Sequence, residues 1–335
     1  MARKRPRRQP APKVIPTQPD ADDSPPSTAA SPVNVNELLT QAANEVRGLA
    51  DCMNELDPLV PKPTNPWMAA IPALLEQRGV PSRTCDDILG NERGAALVKS
   101  QTAAQVWSAQ DHLHAIAVCL PQRTVFSLMS LSRIVMEAAC TASWLNTNGT
   151  DPAELLQRAI TLAYRQIRSA TKQADEMSEW HVLSARETEA LAEEIASYKT
   201  TLAGFDDIGQ RFGFNAKEGA PSIATRMAAA MDALRGANPD LELPPDEALL
   251  ANLHGAVHGD PNTLMGMMDT EVAGGMRTVS VRSRLRPVLW HAVAPTVMML
   301  KTIAHEWETG LQVAEIETHA ANLFDVVRDT QIAMA

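Results

Sequence analysis

The stretch S-Q-T-A-A-Q-V-W-S-A-Q-D-H-L-H-A-I-A-V-C-L, residues 100–120, decides the fold class of this 335-residue chain. Its apolar residues recur at the spacing of one face of an α-helix, and they are Ala103, Val106, Trp107, Leu113, Ala117 and Leu120. Pro121 follows, and because proline has no amide hydrogen to donate, it predicts the end of the helix there. The stretch therefore predicts an amphipathic helix that packs on a core.

Helical patterns continue on both sides of this stretch. We predict a first helix from Asn34 or Asn36 and further helices over 123–146, 151–180, 184–202, 222–234, 283–309 and 314–335. Asp151-Pro-Ala-Glu154 and Ser184-Ala-Arg-Glu187 have the spacing of capping boxes, in which the first and fourth residues satisfy amides at a helix start. We predict a Gly-rich connection at 204–221.

The composition agrees with a helical protein. Apolar residues make up 45% of the chain and aromatic residues 4%, and alanine, leucine and methionine supply most of the apolar share. A β-sandwich or barrel would be richer in β-branched and aromatic residues, and only Thr278-Val-Ser-Val281 has β character among residues 262–281. We predict an all-α helical bundle with up-and-down helices.

Three regions follow from the distribution of proline and charge. Residues 1–33 are basic and Pro-rich with few apolar side chains, so we predict a disordered tail. Residues 34–98 form a small helical segment that includes a Pro-rich linker at 57–72, and residues 99–335 form the main helical bundle. The formal net charge is −10, although the tail is basic, so the body repels nucleic acid in general.

The four cysteines are Cys52, Cys85, Cys119 and Cys140, and no two have C-x-x-C spacing. This spacing predicts no disulfide and no zinc knuckle, which fits a reducing cytoplasm. No signal peptide is recognisable, and the apolar run at 287–300 is too short to span a bilayer. We therefore predict a cytoplasmic protein with no membrane contact, and a buried core helix at 287–300 that bends at Pro295.

The segment A-N-L-H-G-A-V-H-G-D-P, residues 251–261, raises the first question about a site. His254 and His258 are four residues apart and share one face of a predicted helix. They can be structural histidines at a helix–helix seam, catalytic or anion-binding groups, or a metal pair with a third ligand from Asp260, Glu137 or His291. The glutamate of the H-E-x-x-H metalloprotease motif is missing, and we assign no metal and no cofactor.

Charged residues inside apolar helices are a second group of candidates. Arg133 and Glu137 are four residues apart in L-S-R-I-V-M-E-A-A and can form an ion pair. Arg158, Arg165 and Lys172 recur every seven residues, with Arg168 beside them, and form a basic stripe along one helix. Such a stripe is usually a solvated face, but in an acidic protein it is also the best candidate for an anion or RNA contact.

Four pieces of the chain, in order, resemble a known group of proteins. They are S-L-S-R-I-V-M-E-A-A-C-T-A-S-W-L at 130–145, the arginines at 158 and 165, the G-A-P-S helix start at 219–222, and L-H-G-A-V-H-G at 253–259. In this order they resemble uncharacterised helical proteins of actinobacteria and their phages, which are distantly similar to the HEPN-like and abortive-infection (AbiV-like) families. The resemblance covers about residues 100–310.

The resemblance implies a helical bundle that is often a homodimer. Some HEPN members cut RNA without metal through an R-x4–6-H motif at the dimer seam, and in this chain that role would fall on Arg286, which holds phosphate, and His291, which handles protons. Other members lack the active motif and act as binding or assembly modules.

Three hypotheses follow for the function. The first is a helical binding or assembly module with a polar cluster of Arg133, Glu137, His254 and His258, joined by Arg158 or Arg165, because charged groups in apolar helices must find partners. The alternative is a HEPN-type ribonuclease in phage defence or a toxin system. The second alternative is a metal-dependent hydrolase that uses His254 and His258.

Overall fold

The structure is a computed structural model, and it describes residues 35–56, 66–81, 88–89, 94–122, 124–147, 151–180, 182–237, 269–273, 276–280, 285–307 and 313–334. Within these ranges the chain forms nine α-helices and one two-stranded hairpin, so the predicted all-α helical bundle is confirmed. The predicted tail at 1–33 and the predicted helix that carries His254 and His258 lie outside the described residues.

The helices are α1 (Val35–Cys52), α2 (Pro66–Gln77), α3 (Ala95–Gln122), α4 (Val125–Leu145), α5 (Pro152–Ser178), α6 (Ala185–Phe212), α7 (Ile223–Ala237), α8 (Leu285–Glu306) and α9 (Val313–Met334). Short 3-10 turns lie at Met53–Glu55 and Ala216–Glu218. The strands β1 (Asp269–Ala273) and β2 (Met276–Ser280) pair antiparallel, with Thr270 opposite Val279. Three residues of the predicted T-V-S-V segment lie in β2.

The α3–α4 hairpin is at the centre of the bundle. A connection of two residues joins these helices, which makes them pack side by side along their length. α4 also packs against α7 and α8, and α1 packs against α3 and α9. Val46 on α1 and Ile71 on α2 are both 0% exposed within the same apolar cluster as the other helices. The helices of residues 34–98 therefore contribute to the core of the bundle.

The apolar face that was predicted on residues 100–120 is the buried face of α3. Five of its six members are at most 1% exposed, namely Ala103, Val106, Leu113, Ala117 and Leu120. The sixth, Trp107, is 49% exposed. It follows Val106 directly, and one residue turns the helix by about 100°, which carries the side chain off the buried face.

Two predicted helix starts are confirmed by their hydrogen bonds. The Asp151 carboxylate accepts a hydrogen bond of 2.8 Å from the Glu154 amide at the start of α5. At the start of α6 the Ser184 hydroxyl accepts from the Glu187 amide at 3.3 Å, and the Glu187 carboxylate accepts from the Ser184 amide at 2.8 Å. The second site is thus a complete capping box, and these hydrogen bonds lower the pKa of the Glu187 carboxyl.

The predicted connection at 204–221 is wrong over its first half, because α6 continues to Phe212. Its glycines suggested a loop, but Gly204 is inside the helix where another side chain comes close. A Cβ at Gly204 would lie 1.7 Å from Cδ1 of Ile88. The glycine therefore allows close packing within a helix.

The predicted linker at 57–72 is also partly helical. α2 begins within it, at Pro66, because proline is tolerated in the first turn of a helix.

Among the described residues, no helix combines the length and the apolar character that a bilayer crossing requires. α8, which includes the apolar run at 287–300, is instead a core helix of the bundle. It continues through Pro295, and Leu289, Val293 and Leu300 on it are at most 1% exposed.

Candidate anion-binding site

The site begins with the predicted pair on α4. Arg133 Nε lies 2.7 Å from Glu137 Oε1, as the spacing of four residues predicts. Their side chains are 18% and 36% exposed, so the pair lies at the edge of the core, where water reaches it. His254 and His258, which were predicted to join this pair, lie outside the described residues, as does Asp260.

Arg158 lies on α5, where its guanidinium has three neighbours. It is bonded to the Glu154 carboxylate one turn earlier and to the backbone carbonyl of Trp144 at the end of α4. Its Cζ atom also lies 5.5 Å from the centre of the Trp144 ring, within the range of a cation–π contact. Arg158 therefore holds α4 and α5 together, and its own donors are largely used.

Arg226 on α7 is the residue that sequence reasoning missed. It is 6% exposed, and its Cζ lies 5.7 Å from the centre of the same Trp144 ring. Two of its nitrogens, Nε and Nη1, are buried and have no hydrogen-bond partner in the described part of the chain. A buried guanidinium with unused donors is costly, since each lost hydrogen bond to water is not replaced.

Burial and the neighbouring ionisable groups change the pKa of the Arg226 guanidinium. Burial lowers the pKa of its guanidinium, and the positive charge of Arg165 lowers it further, whereas Cys140 and Glu137 raise it. An arginine stays protonated at neutral pH even so. Arg226 is thus a buried cation close to Arg165 and Glu137, and the nearby carboxylate of Glu137 is already paired with Arg133.

The basic stripe of α5 borders a small cleft beside this cluster. The cleft encloses about 270 Å³ and is lined by Tyr164, Arg165, Arg168, Lys217 and Glu218, among others. Neither Arg165 nor Arg168 has an ion-pair partner among the described residues. Both side chains are exposed, so their charges face this opening.

Lys217 approaches the cleft from the 3-10 turn after α6. Its Nζ lies 2.9 Å from Asp206 Oδ2, and this hydrogen bond raises the pKa of the Lys217 amine, as does the nearby phenol of Tyr164. The Arg168 charge lowers the same pKa. Tyr164, Arg168 and Lys217 are therefore close neighbours around one opening.

A second, shallower groove of about 500 Å³ lies between α5 and α6. It is lined again by Arg165 and Arg168, together with Lys172 and Ser169. Positions 165, 168 and 172 are three and four residues apart, so they share one face of α5. The predicted basic stripe thus lines both depressions.

The arginines and carboxylates around Trp144 and Arg226 form a cluster with a net positive charge, although the whole chain is acidic. Its four arginines are Arg133, Arg158, Arg165 and Arg226, and its two carboxylates are Glu137 and Glu154, which leaves a charge of +2 against −10 for the whole chain. Guanidinium groups are donors with no lone pair to give, so they bind anions and not metal ions. The cluster is suited to a carboxylate or a phosphate group.

His291, the residue that the resemblance gives a proton-handling role, is buried. It lies on α8, is 2% exposed, and burial lowers its pKa to about 3. It is therefore neutral at physiological pH. The side chain of Arg286, its predicted partner, lies outside the described residues. The roles predicted for both residues stay predictions.

Comparison with protein-family models, with curated proteins and with solved structures finds no match to this chain. The described residues form a helical bundle with a cluster of arginines between α4, α5 and α7.

Proposed function

We propose that this protein is a helical binding module that takes up a phosphate-bearing ligand between α4, α5 and α7, with Arg165, Arg168 and Arg226 as the main contacts. The observation that carries the proposal is the buried Arg226 guanidinium, two of whose nitrogens have no acceptor among the described residues. A phosphate oxygen is the strongest acceptor that such a group can meet.

In the described part of the chain, no carboxylate accepts a hydrogen bond from Nε or Nη1 of Arg226. Glu137 is committed to Arg133 at 2.7 Å, and Glu154 is committed to Arg158. The remaining positive charge near Arg226 comes from Arg165, which repels it. A bound anion would convert this repulsion into two attractions, because it would lie between two cations.

The adjoining cleft is the route by which the anion arrives. Arg165 and Arg168 line it, are exposed and carry no described ion pair, so both can contact a ligand from solvent. Arg226 is covered, and we expect its long side chain to turn toward Arg165 when the ligand binds. Arginine side chains have several low-energy rotamers, so this movement is accessible.

The size and charge of the surroundings favour a small ligand. A volume of about 270 Å³ is close to the lower end of the range of small-molecule sites. The whole chain carries a charge of −10, and a long polynucleotide would be repelled by the body around the basic stripe. A nucleotide or another small phosphate ester fits both conditions better than a long RNA.

The test is a binding measurement with three probes: inorganic phosphate, a nucleoside monophosphate and a single-stranded RNA of twelve nucleotides. We expect the full-length protein to bind the first two by calorimetry and to lose at least tenfold in affinity in Arg226→Met and in Arg165→Gln. Arg186→Gln on the exposed start of α6 is the matched control. Unchanged affinity in both test variants contradicts the proposal. If the protein binds the RNA and neither small probe, the ligand is a polynucleotide and the proposal of a small ligand is wrong.

Self-association is part of the same proposal, since an assembly module needs a contact surface. Three apolar side chains near the turn between α5 and α6 are exposed: Met177 by 40%, Trp180 by 59% and Val182 by 83%. The first half of α6, beside this turn, has no buried residue. The turn, defined here as residues 177–183, is the surface on which we place a homodimer contact.

The ribonuclease alternative requires that RNA reaches His291. A side chain that is 2% exposed does not contact a substrate in solution without a rearrangement of the core. Loss of RNA cleavage in His291→Ala, measured on purified protein, would support this alternative over the binding module. The hydrolase alternative depends on His254 and His258, which lie outside the described residues.

A further inference from the structure

A group of potential metal ligands lies where α9 packs on α1. It consists of Cys52, the last residue of α1, and of Glu315 and His319 on the first turns of α9. One ligand atom from each residue lies within 4.8 Å of the others. This group shares no residue with the His254–His258 pair or with the arginine cluster.

Local structure explains why the three side chains meet. Glu315 and His319 are four residues apart and lie on one face of α9. Ile316, their neighbour on α9, is 0% exposed, and Leu49 on α1 is 1% exposed, so the two helices are closely packed here. Cys52 itself is 8% exposed. The packing of α9 on α1 thus brings a thiol, a carboxylate and an imidazole together.

The imidazole of His319 is held in one orientation by Glu45. His319 Nδ1 lies 2.8 Å from Glu45 Oε2 on α1, and their side chains are only 26% and 17% exposed. In the tautomer that donates from Nδ1, the lone pair of the ring is on Nε2. Histidines that bind metal ions commonly donate their other ring nitrogen to a carboxylate in this way.

Gly48 provides the space for the ring. A Cβ at this position would lie 2.3 Å from His319 Cε1 and 2.7 Å from each ring nitrogen. The imidazole therefore lies directly against the backbone of α1, between the levels of Glu45 and Cys52. A glycine inside a helix is less stabilising than alanine, and at this position it makes room for a ring whose orientation is set by a carboxylate.

We propose that Cys52, Glu315 and His319 bind a divalent transition-metal ion, with Zn²⁺ as the ion that this donor set fits best, and that Glu45 is a positioning residue for His319. Thiolate sulfur, imidazole nitrogen and carboxylate oxygen are the three donors that zinc sites use. Three protein ligands leave one tetrahedral position for water. The ion ties the C-terminal helix to the first helix.

The distances are compatible with this coordination after a small adjustment. With metal–ligand bonds of about 2.0–2.3 Å, neighbouring ligand atoms of a tetrahedral zinc site are roughly 3.5 Å apart. Separations of up to 4.8 Å are wider, and rotation about the side-chain bonds of Cys52 and Glu315 can close them. Binding replaces the proton of the Cys52 thiol by the ion, so one proton is released to the buffer.

The experiment uses the full-length protein after removal of metal with a chelator. We expect one equivalent of Zn²⁺ to bind by calorimetry and to raise the Tm. The binding enthalpy should vary with the ionisation enthalpy of the buffer, because the buffer takes up the released proton. With Co²⁺ as the probe we expect the near-ultraviolet charge-transfer band of a thiolate ligand. This band is a readout in the unmodified protein, so it does not depend on whether a variant folds.

Variants then assign the ligands. We expect Cys52→Ser and His319→Gln to weaken Zn²⁺ binding by more than about 100-fold, and Glu45→Gln to weaken it by about 10–100-fold, as is typical when a carboxylate partner of a metal-bound histidine is lost. Cys119→Ser, a partly buried cysteine on α3, is the matched control and should bind as the unmodified protein does. Co²⁺ binding without a thiolate band, or equal affinity in Cys52→Ser, overturns the proposal.

Discussion

Trp307 donates a hydrogen bond from its indole Nε1 to the side-chain oxygen of Asn146 at 2.9 Å, and thereby joins the end of α8 to the end of α4. The other side of the Asn146 amide donates to the Thr102 hydroxyl at 3.0 Å and to the Ala142 carbonyl at 2.9 Å. Asn146 is 2% exposed and Trp307 is 0% exposed. Three helices are therefore fixed to one buried amide.

This amide gives the first prediction. Asn146→Ala leaves the Trp307 N–H buried without its acceptor, and we expect a loss of about 1–3 kcal/mol in the free energy of unfolding. Trp307→Phe removes the donor but keeps most of the ring volume, and it should cost less. Urea unfolding followed by circular dichroism measures both. Gln173→Ala, at an exposed position of α5, should change the free energy by less than about 0.5 kcal/mol.

Arg226→Met should separate stability from binding. The substitution removes a buried charge with unused donors, and an apolar side chain of similar length replaces it, so we expect stability to stay equal or to rise by about 1–4 kcal/mol. Phosphate affinity should fall at the same time. Arg235→Met, on the same helix and paired with Asp232 at 2.9 Å at the surface, serves as the control. A strongly destabilised Arg226→Met would show that a protein group already satisfies this guanidinium.

The basic stripe predicts a salt dependence. Arg165 and Arg168 both contact the phosphate group in the proposed complex. The affinity for the nucleoside monophosphate should therefore fall as the salt concentration rises, because salt screens contacts between charges that are partly exposed to solvent. Arg168→Gln should reduce the slope of log affinity against log salt concentration. Calorimetry at several KCl concentrations measures this slope, and a slope that is unaffected by Arg168→Gln would exclude the residue from the contact.

His291 predicts a pH dependence of stability. Its pKa is about 3 in the folded protein, lowered from an ordinary value of 6.5 by burial, so below pH 6.5 the unfolded chain binds a proton that the folded chain does not. The stability that the folded protein gains from keeping His291 neutral is therefore fully present above pH 6.5. It is lost as the pH falls from there toward 3, and the free energy of unfolding decreases by up to about 1.4 kcal/mol per pH unit.

The matching experiment compares unfolding at pH 6.5 and pH 5. We expect the unmodified protein to lose about 1.6 kcal/mol more than His291→Leu over this interval, since the unfolded imidazole is already half protonated at pH 6.5. His305→Gln, at an exposed position near the end of the same helix, should behave as the unmodified protein does. Parallel pH profiles for the unmodified protein and His291→Leu would refute a neutral buried imidazole.

The exposed turn between α5 and α6 is the surface through which we expect two copies of the protein to associate. Trp180→Lys places a charge among Met177 and Val182, and we expect it to shift a dimer to a monomer, measured by light scattering after size-exclusion chromatography. Trp107→Lys changes an indole that is 49% exposed on α3 and is the matched control. A dimer that persists in Trp180→Lys, or a monomeric unmodified protein, contradicts this placement.

Local sequence patterns predicted much of the fold. The apolar face of α3 and the capping residues Asp151 and Ser184 act within one or two helical turns, so they can be recognised without knowledge of the rest of the chain. Gly204 was misread for the opposite reason. Its effect depends on Ile88, which is distant in sequence and approaches only in the folded bundle.

The candidate site also has some features that local spacing predicted and others that depend on how the helices pack. The Arg133–Glu137 pair follows from a spacing of four residues, and the basic stripe of α5 from a spacing of seven. Arg226 stands alone in the apolar segment I-A-T-R-M-A-A-A-M, where its unusual setting was the available indication. That it lies over Trp144 beside Arg165 depends on the packing of α7 against α4.

The sequence by itself determined the all-α class, eight of the nine described helices and the buried face of α3, because these depend on periodicity and on hydrogen bonds between near neighbours. Only the tertiary structure decided which charged side chains of different helices meet and which donors remain without an acceptor among the described residues. The same holds for Cys52 and His319, which come from opposite ends of the described chain and approach through the contact between α1 and α9. Such encounters depend on how helices pack, and apolar faces alone do not specify the partner.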